Sequence, residues 1–577
     1  MPDNEATSMD ALRRSIDITT RASIGIIAIR CPVTEVFRAV ELLYASARDN
    51  SSAFRMWSML TGWSQFDEDI VNDLASVMDG DDDKVFNPIM PHSEDRTTIA
   101  YSSAFQKIFE ADRELRTYPD DCYYVMADLH HYLTEPQIEA AIRRQAQRAY
   151  DSDQRLFVVI PDTVEIPDNI SPFLHLIEYE YPRINELLQI VELILDNLED
   201  EHQPDLSDEE KHALCQNALG MTKTSFENAI ALSITDWHQD REGNEEEPVS
   251  YEHICKWVRN YKTEALRKTE VLELQPELPV DQIGGLQEYK NWMDIRKVTY
   301  QPEAIAKGIT PSKGVVVVGP PGCGKSLIAK AAGAQLGLPV IRFDIGRVFG
   351  AYVGQSEGKM RSVLKMVDAM APLVLMVDEV DKGFAGMAQG SSDSGTSSRV
   401  FGTFLTWMQE RDQKNRPVFL VFTANRVQGL PPEILRKGRL DESWAVLAPN
   451  KVEREEILRI HAKKRGLTIT EEHMPKLVTH SEGLVGAEIE SLVEQCLIRA
   501  YMNGHEKLMT ADFLIERQTL KPIKESAAAD FTAIEEWGRT YARLASTEES
   551  EKPQIGSPKK AGSTSRRPSI KKRPMLN

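Results

Sequence analysis

One glycine-rich segment constrains the fold of this 577-residue chain more than any other feature of its sequence. Residues 319–326 read GPPGCGKS, which fits the pattern G-x-x-x-x-G-K-[ST]. A run of four valines precedes the segment, and the helical run LIAKAAGAQL follows it. A strand, a glycine loop and a helix in this order turn backbone N–H groups toward an anion at the helix N-terminus. The segment therefore predicts a loop that binds the phosphates of a nucleotide.

The side chains in and beyond this loop predict ATP hydrolysis with Mg²⁺. Lys325 would reach the β and γ phosphates, and Ser326 would bind the metal. The apolar run at 373–377 ends in Asp378 and Glu379. Asp378 would hold Mg²⁺ through water, while Glu379 would orient the water that attacks in line. We therefore expect ATP and Mg²⁺ as cofactors.

Composition excludes several other classes of protein. Hydrophobic residues at 41% and charged residues at 27% are typical of a globular chain, and a formal charge of −21 argues against a body that coats nucleic acid or an anionic membrane. The six cysteines include no CxxC pair, so we expect no zinc site and no disulfide framework. The N-terminus has no apolar signal region, and no apolar run approaches the ~20 residues that cross a bilayer. A soluble protein of the reducing cytoplasm is expected.

The hydrophobic pattern divides the chain into five segments. Residues 1–182 and 275–451 alternate short apolar strands with helices, which is typical of doubly wound α/β domains with a parallel sheet. The first of these has no glycine loop after its first strand, so we expect it to bind no nucleotide. Residues 183–274 are predicted to be helical, as a lid-like region and linker, and residues 452–546 are predicted to be a helical lid with C-terminal helices. Residues 547–577 form a basic tail that we expect to be disordered.

The order of these motifs resembles that of the AAA family of P-loop ATPases over about residues 280–515. A strand ends at Asn425, where the family has its sensor asparagine, which can hydrogen-bond the γ phosphate or the attacking water. The run ILRKGRLD contains Arg436 and Arg439, which look like the family's paired arginine fingers, although both could be ordinary surface charges. In the family such arginines act in trans on a neighbouring subunit's phosphate. The resemblance therefore implies a ring, most often a hexamer.

The resemblance also implies which residues surround the nucleotide. His461 matches the lid histidine near the adenine and ribose, and residues 281–285 match the segment that cups the base. Cys323 could block the nucleotide if it were oxidised, or could simply be a small side chain. The predicted nucleotide-binding residues are Gly284, Gly319, Pro320, Pro321, Gly322, Cys323, Gly324, Lys325, Ser326, Leu327, His461, Gly486 and Ala487, and the predicted catalytic residues are Lys325, Glu379, Asn425, Arg436 and Arg439.

Tyr352, Val353 and Gly354 match the aromatic-hydrophobic-glycine tip of the family's pore loop. A ring of such tips can grip an extended polypeptide, because the rings pack between its side chains while glycine lets the loop bend. A tyrosine that packs locally or caps a helix is the alternative. The segment at 390–398, GSSDSGTSS, could face the same pore or could be a surface turn.

Several phrases are most similar to one AAA branch, the stand-alone and largely uncharacterised ATPases of cyanobacteria and algal plastid genomes. They are GPPGCGKS at 319–326, DEVDKGF at 378–384, SRVFGTFLTWMQ at 398–409 and LRKGR at 435–439. In that branch the N-terminal half resembles an AAA-like module without a phosphate loop. Asp128 sits where a metal-binding strand end would be, and without a lysine partner we expect it to be structural. The family supplies no firm substrate.

Three functions remain open from the sequence. The first is a ring ATPase that remodels a protein or a protein assembly. The second is an ATPase recruited to nucleic acid through residues 551–577, which carry eight lysines and arginines against one glutamate and include SPKK, a motif that resembles minor-groove-binding tails. The third is a regulatory scaffold whose assembly is set by ATP.

Overall fold

The computed structural model describes two α/β units and two helical regions. The described residues are 8–22, 24–58, 62–65, 122–148, 155–198, 204, 206–239, 248–349, 355–383, 394–413, 415–428, 430–431, 433–436 and 438–547.

The first unit is a six-stranded sheet with the order β3-β2-β4-β5-β1-β6. All pairs are parallel except β2 with β3. Helices cover both faces, which is why strands such as β1 and β5 are apolar along nearly their whole length. Its elements are α1 (Ser8–Arg21), β1 (Ile26–Cys31), α2 (Val36–Asp49), β2 (Ala53–Ser58), β3 (Gly62–Gln65), β4 (Cys122–Met126), α3 (Pro136–Arg148), β5 (Arg155–Pro161) and β6 (His175–Glu178).

The second unit is a seven-stranded sheet with the order β13-β12-β8-β11-β10-β9-β7. Only β7 is antiparallel to its neighbour. Its elements are β7 (Leu272–Leu274), α8 (Gln287–Arg296), α9 (Pro302–Ala306), β8 (Gly314–Val318), α10 (Lys325–Leu336), β9 (Val340–Phe343), α11 (Ile345–Phe349), α12 (Gln355–Met370), β10 (Leu373–Val377), α13 (Val380–Gly383), α14 (Ser394–Glu410), β11 (Val418–Ala424) and β12 (Glu442–Ala445).

The two sheets share one topology. Numbered by chain order, the five parallel strands of the first sheet run 2-3-4-1-5. The strands β8 to β12 of the second sheet run in the same order, and β13 is added beyond the fifth. In both units the first strand lies between the fourth and the fifth. The chain therefore contains two modules of one topology, and the second carries the glycine loop.

Two helical regions complete the chain and have hydrophobic cores of their own. Ser207 forms a capping box with Glu210, whose backbone N–H lies 3.3 Å from Ser207 Oγ. The elements are α4 (Ile184–Asp196), α5 (Asp208–Ala218), α6 (Lys223–Gln239) and α7 (Tyr251–Lys268) in the first region, then α15 (Lys451–Lys464), α16 (Met474–His480), α17 (Gly486–Met502) and α18 (Thr510–Thr519) in the lid.

The prediction that residues 183–274 are entirely helical is wrong at their end. Leu272–Leu274 form β7, which pairs antiparallel with β9 at the edge of the second sheet. A three-residue strand has no hydrophobic period of its own, so only the neighbouring strand determines its conformation. The residues that follow the lid return to this sheet, through α19 (Ile523–Ser526), α20 (Ala528–Tyr541) and β13 (Arg543–Leu544), which pairs with β12.

In the first unit, a buried carboxylate follows the first strand. Glu35 ends a short 3-10 turn after β1 and is fully buried. Its carboxylate accepts hydrogen bonds from Tyr179 Oη at 2.7 Å and from the backbone N–H of Thr224 at 3.0 Å. Because Thr224 lies in the first turn of α6, the carboxylate binds the positive end of that helix and joins the sheet to the first helical region.

The second unit packs against the carboxyl edge of the first sheet through α12. Arg361 contacts Glu165 at 2.9 Å, and Lys365 Nζ lies 2.8 Å from Glu178 Oε2. Ser362 Oγ donates to Asp162, which directly follows β5. A helix of the second unit thus covers the edge of the first sheet at which β1, β5 and β6 end.

Candidate functional site

The glycine loop joins β8 to α10 and contains two glycines in the left-handed region, Gly322 at φ +78° and Gly324 at φ +95°. Few other residues adopt these angles without strain. Nζ of Lys325 donates to the carbonyl oxygens of Gly319 and Pro320, each at 2.8 Å. Burial lowers the pKa of Lys325, and the nearby carboxylates of Asp378, Asp381 and Glu379 oppose that shift. The loop therefore places a buried ammonium group beside a cluster of acids.

The lid packs directly on this loop. The backbone N–H of Ala487 donates to the carbonyl of Gly322 at 3.1 Å. A Cβ atom on Gly322 would lie 3.0 Å from Val485 and 3.2 Å from Ala487, and one on Gly319 would lie 2.4 Å from the carbonyl oxygen of Val446. The loop needs glycine here because its backbone passes close to neighbouring elements. Ala487, predicted to bind the nucleotide, thus lies against the glycine loop.

The acid pair lies where β10 ends, beside the end of β11. Thr423 Oγ1 donates to Asp378 Oδ1 and accepts the backbone N–H of Glu379 at 3.1 Å. Asn425 Nδ2 donates to Glu379 Oε1 at 3.2 Å. The three predicted residues Asp378, Glu379 and Asn425 are therefore in one hydrogen-bonded group. Thr423, which was not predicted to be a site residue, links two of them.

A cavity of about 690 Å³ lies between the loop, the segment at 281–286 and the lid. Glu453 and Glu456 of α15 fix that segment, because they accept the backbone N–H groups of Leu286 and Gly285 at 3.1 and 2.8 Å. The predicted residues that line the cavity are Gly284, Gly322, Cys323, Gly324, Leu327, His461 and Gly486.

His461 presents an uncharged ring to this cavity. Its Nδ1 lies 3.4 Å from Glu490 Oε1 and 3.3 Å from a guanidinium nitrogen of Arg465. Burial lowers the pKa of His461 below its usual value, so the ring is neutral at pH 7. A neutral imidazole can pack against a base and still accept or donate a hydrogen bond.

Cys323 behaves as a small buried side chain. Burial raises the pKa of its thiol to about 12, so almost none of it is thiolate at neutral pH. Because the thiolate is the form that oxidants attack, the structure disfavours oxidation of Cys323 as a means of blocking the loop.

The two predicted arginine fingers lie apart from the cavity lining. Arg436 is exposed, and Arg439 donates to the backbone carbonyl of Glu433 at 2.8 Å. Neither is among the residues that line the cavity in this chain. Tyr352 and Val353, together with residues 551–577 and the predicted nucleic-acid contact there, lie outside the described residues.

The site's donor set fits Mg²⁺ and a triphosphate. Ser326 is exposed in the first turn of α10, and the carboxylate oxygens of Asp378 are the hard ligands that Mg²⁺ prefers. The backbone of Gly319 and Gly322 leaves no room for a side chain, which suits a loop that wraps around phosphate. Among the described residues, no cluster of three or more histidine, cysteine or acidic side chains forms another metal site, and no helix has the length and apolar character to span a bilayer.

Comparisons with known proteins agree with this geometry. Residues 315–446 match the family described as "ATPase family associated with various cellular activities (AAA)", and residues 12–179 match the "SpoVK-like AAA ATPase, N-terminal domain". The "uncharacterized AAA domain-containing protein ycf46" of Guillardia theta is 31% identical over 429 residues, which are 73% of this chain and 80% of that protein. Its namesake in Pyropia yezoensis is 31% identical over 430 residues, 73% of this chain and 82% of that protein. The proteasome-activating nucleotidase of Methanocaldococcus jannaschii is 29% identical over 287 residues, 47% of this chain and 64% of that protein.

A substitution that narrows the cavity tests whether the nucleotide binds there. A Cβ atom on Gly284 would lie 2.8 Å from Ile457 Cγ1, so Gly284→Ala should shift the segment at 281–286 into the cavity. We expect the affinity for a fluorescent ATP analogue to fall about tenfold, which corresponds to ~1.4 kcal/mol. Gly402→Ala is the control, since no atom lies within 4 Å of its added Cβ. Equal affinity in the two variants would contradict this location of the nucleotide.

Proposed function

Because this chain belongs to the AAA family of ATPases, we propose that it hydrolyses ATP to ADP and orthophosphate between the glycine loop, the acid pair and the lid. One observation carries the proposal: Thr423 and Asn425 hold Asp378 and Glu379 in one hydrogen-bonded group at the ends of β10 and β11. The loop that carries Lys325 leaves β8 at the same edge of the sheet. The proposed phosphate-binding cation, metal ligand and base for water would thereby meet at one edge of the sheet.

Each residue has a role that follows from its position. Lys325 would leave the loop carbonyls to bind the β and γ phosphates. Mg²⁺, held by Ser326 and Asp378, would neutralise charge on the phosphate oxygens. Glu379 would orient the attacking water and accept its proton, and Asn425 would hold that carboxylate in place. Thr423 would fix the orientation of Asp378.

Two substitutions separate nucleotide binding from hydrolysis. Lys325→Ala should abolish ATP binding and hydrolysis, because it removes the only phosphate-binding cation of the loop. Glu379→Gln should still bind ATP but should release orthophosphate at least about 100-fold more slowly, since it lacks the base. Lys307→Ala, an exposed lysine in the same unit, is the control. Phosphate release by Lys325→Ala at the rate of the unsubstituted protein would refute the proposal.

We further propose that the active form is a ring, a hexamer, in which Arg436 and Arg439 reach the site of a neighbouring subunit. The exposure of Arg436 supports this, because its guanidinium is available to another chain. Guanidinium groups offset the negative charge that develops on the transferred phosphoryl.

Mixing two inactive variants tests the action in trans. Lys325→Ala keeps its arginines, and Arg436→Ala keeps its nucleotide site. In randomly mixed rings one site in four would have both an intact site and an intact neighbour, so we expect about a quarter of the normal rate of phosphate release. Each variant alone, at the same total concentration, is the control. A mixture that remains as inactive as its components would show that Arg436 does not act between subunits.

For the biological role we propose remodelling of a protein or protein assembly in the cytoplasm. The name of the proteasome-activating nucleotidase, which resembles part of this chain, refers to a protein assembly. The six cysteines, all of them within the described residues, are buried and form no disulfide, which suits a reducing compartment. The ring would pull on its client through Tyr352 and Val353.

Replacing the aromatic ring tests the pulling step. Tyr352→Ala should leave ATP hydrolysis within about twofold of normal while unfolding of a captured client stops. The reason is that the tyrosine side chain would hold the client and would take no part in hydrolysis. Clients can be captured with Glu379→Gln, which should retain ATP. Tyr541→Ala, an exposed tyrosine at the end of α20, is the matched control. Unimpaired remodelling by Tyr352→Ala would exclude this mechanism.

A further inference from the structure

One charged side chain at the acid pair belongs to none of the motifs. Arg342 lies on β9, between β7 and β10, where it is in register with Glu273 on one side and with Met376 on the other. One of its terminal nitrogens lies 3.3 Å from Asp378 Oδ2, and the other lies 3.8 Å from Glu273 Oε2. The guanidinium of Arg342 therefore lies between the carboxylate of Glu273 on β7 and that of Asp378, directly after β10.

Each of the two carboxylate oxygens of Asp378 has a different partner. Thr423 donates to Oδ1, and Arg342 approaches Oδ2. Mg²⁺, or a water bound to it, would need oxygen lone pairs of the same carboxylate. A dication bound to Asp378 would also repel the guanidinium of Arg342, because two positive charges would then lie close together. Arg342 and the metal are consequently competitors for Asp378.

Glu273 offers Arg342 another position. It lies on β7, the strand that follows α7 and leads from the first helical region into the second sheet. The side chains of Arg342 and Glu273 are 40% and 53% exposed, so both have room to move, whereas that of Asp378 is 21% exposed. The arginine can therefore withdraw toward Glu273 without leaving the edge of the sheet.

We propose that Arg342 is a positioning residue for Asp378 that competes with Mg²⁺, and that Glu273 draws the guanidinium away when the metal binds. The inference rests on the proposed ATP site, since Asp378 matters only as its metal ligand. It assigns a function to β7, because the strand that joins the two units then sets how readily the site accepts the metal.

The two substitutions should have opposite effects on Mg²⁺. Arg342→Ala removes the competitor, so half-maximal binding of a slowly hydrolysed fluorescent ATP analogue should need about two- to fivefold less Mg²⁺, the range that a partly exposed ion pair supplies. Glu273→Gln removes the alternative partner of Arg342, so half-maximal binding of the analogue should need more Mg²⁺ than in the unsubstituted protein. R342K keeps the charge but not the fork that reaches both carboxylates, and should lie between Arg342→Ala and the unsubstituted protein.

The measurement is a Mg²⁺ titration of analogue binding to the full chain at fixed ionic strength. In the double variant Glu273→Gln should have no further effect, because it acts only through Arg342. Arg347→Ala, which removes an exposed arginine paired with Asp344 in the same unit, is the control. An unchanged or increased Mg²⁺ requirement in Arg342→Ala, or an effect of Glu273→Gln that persists without Arg342, would overturn the inference. If the unsubstituted protein binds the analogue no better than Lys325→Ala, the proposed ATP site itself fails.

Discussion

The parallel pairing of β8, β11 and β10 is the constraint on which the site depends. Val317 pairs with Thr423 and Val377 pairs with Phe422, so the three strands end at one edge of the sheet. Only in this register does the Thr423 hydroxyl bridge Asp378 and the backbone of Glu379. Because side chains alternate between the faces of a strand, a shift of β11 by one residue would turn that hydroxyl to the other face. The apolar side chains of β8, β10 and β11 thus fix the positions of Asp378, Glu379 and Thr423, although they take no part in the chemistry.

The sequence predicted those parts of the site that are encoded locally. The glycine loop, the acid pair and Asn425 each follow a buried apolar run, and such runs are recognisable as strands. The parallel topology and the lid followed from the alternation of strands and helices. Thr423 was missed because a threonine inside a strand is ordinary, and only the register gives it two polar partners. Arg342 was missed because both of its partners come from other strands, one of them the unrecognised β7. Contacts between elements therefore account for what the sequence did not reveal.

The two modules show how one topology can be stabilised in two ways. In the second, a glycine loop follows the first strand and the lid helix α17 approaches it through Ala487. In the first, the chain continues through Pro32 into a short turn, and the carboxylate of Glu35 binds the N-terminus of α6. A carboxylate attached to the chain is a permanent partner for a helix N-terminus, whereas a cavity lined with glycine can exchange its ligand. The helical region of the first module is accordingly fixed to its sheet by the chain's own charge.

Charge pairs form part of the contact between the modules. Arg361, Lys365 and Arg416 of the second unit pair with Glu165, Glu178 and Glu180 of the first, all of them partly exposed. Pairs of this kind contribute little individually and are weakened by salt. Gly220 of the first helical region lies close to Met370 at the end of α12, where an added Cβ would lie only 1.9 Å from Cγ of the methionine. Near the beginning of α12, a Cβ added to Gly358 would lie 3.1 Å from Cγ of Glu165 in the first unit. Close approaches at Gly358 and at Met370 therefore hold both ends of α12, and the charge pairs of Arg361 and Lys365 lie between them.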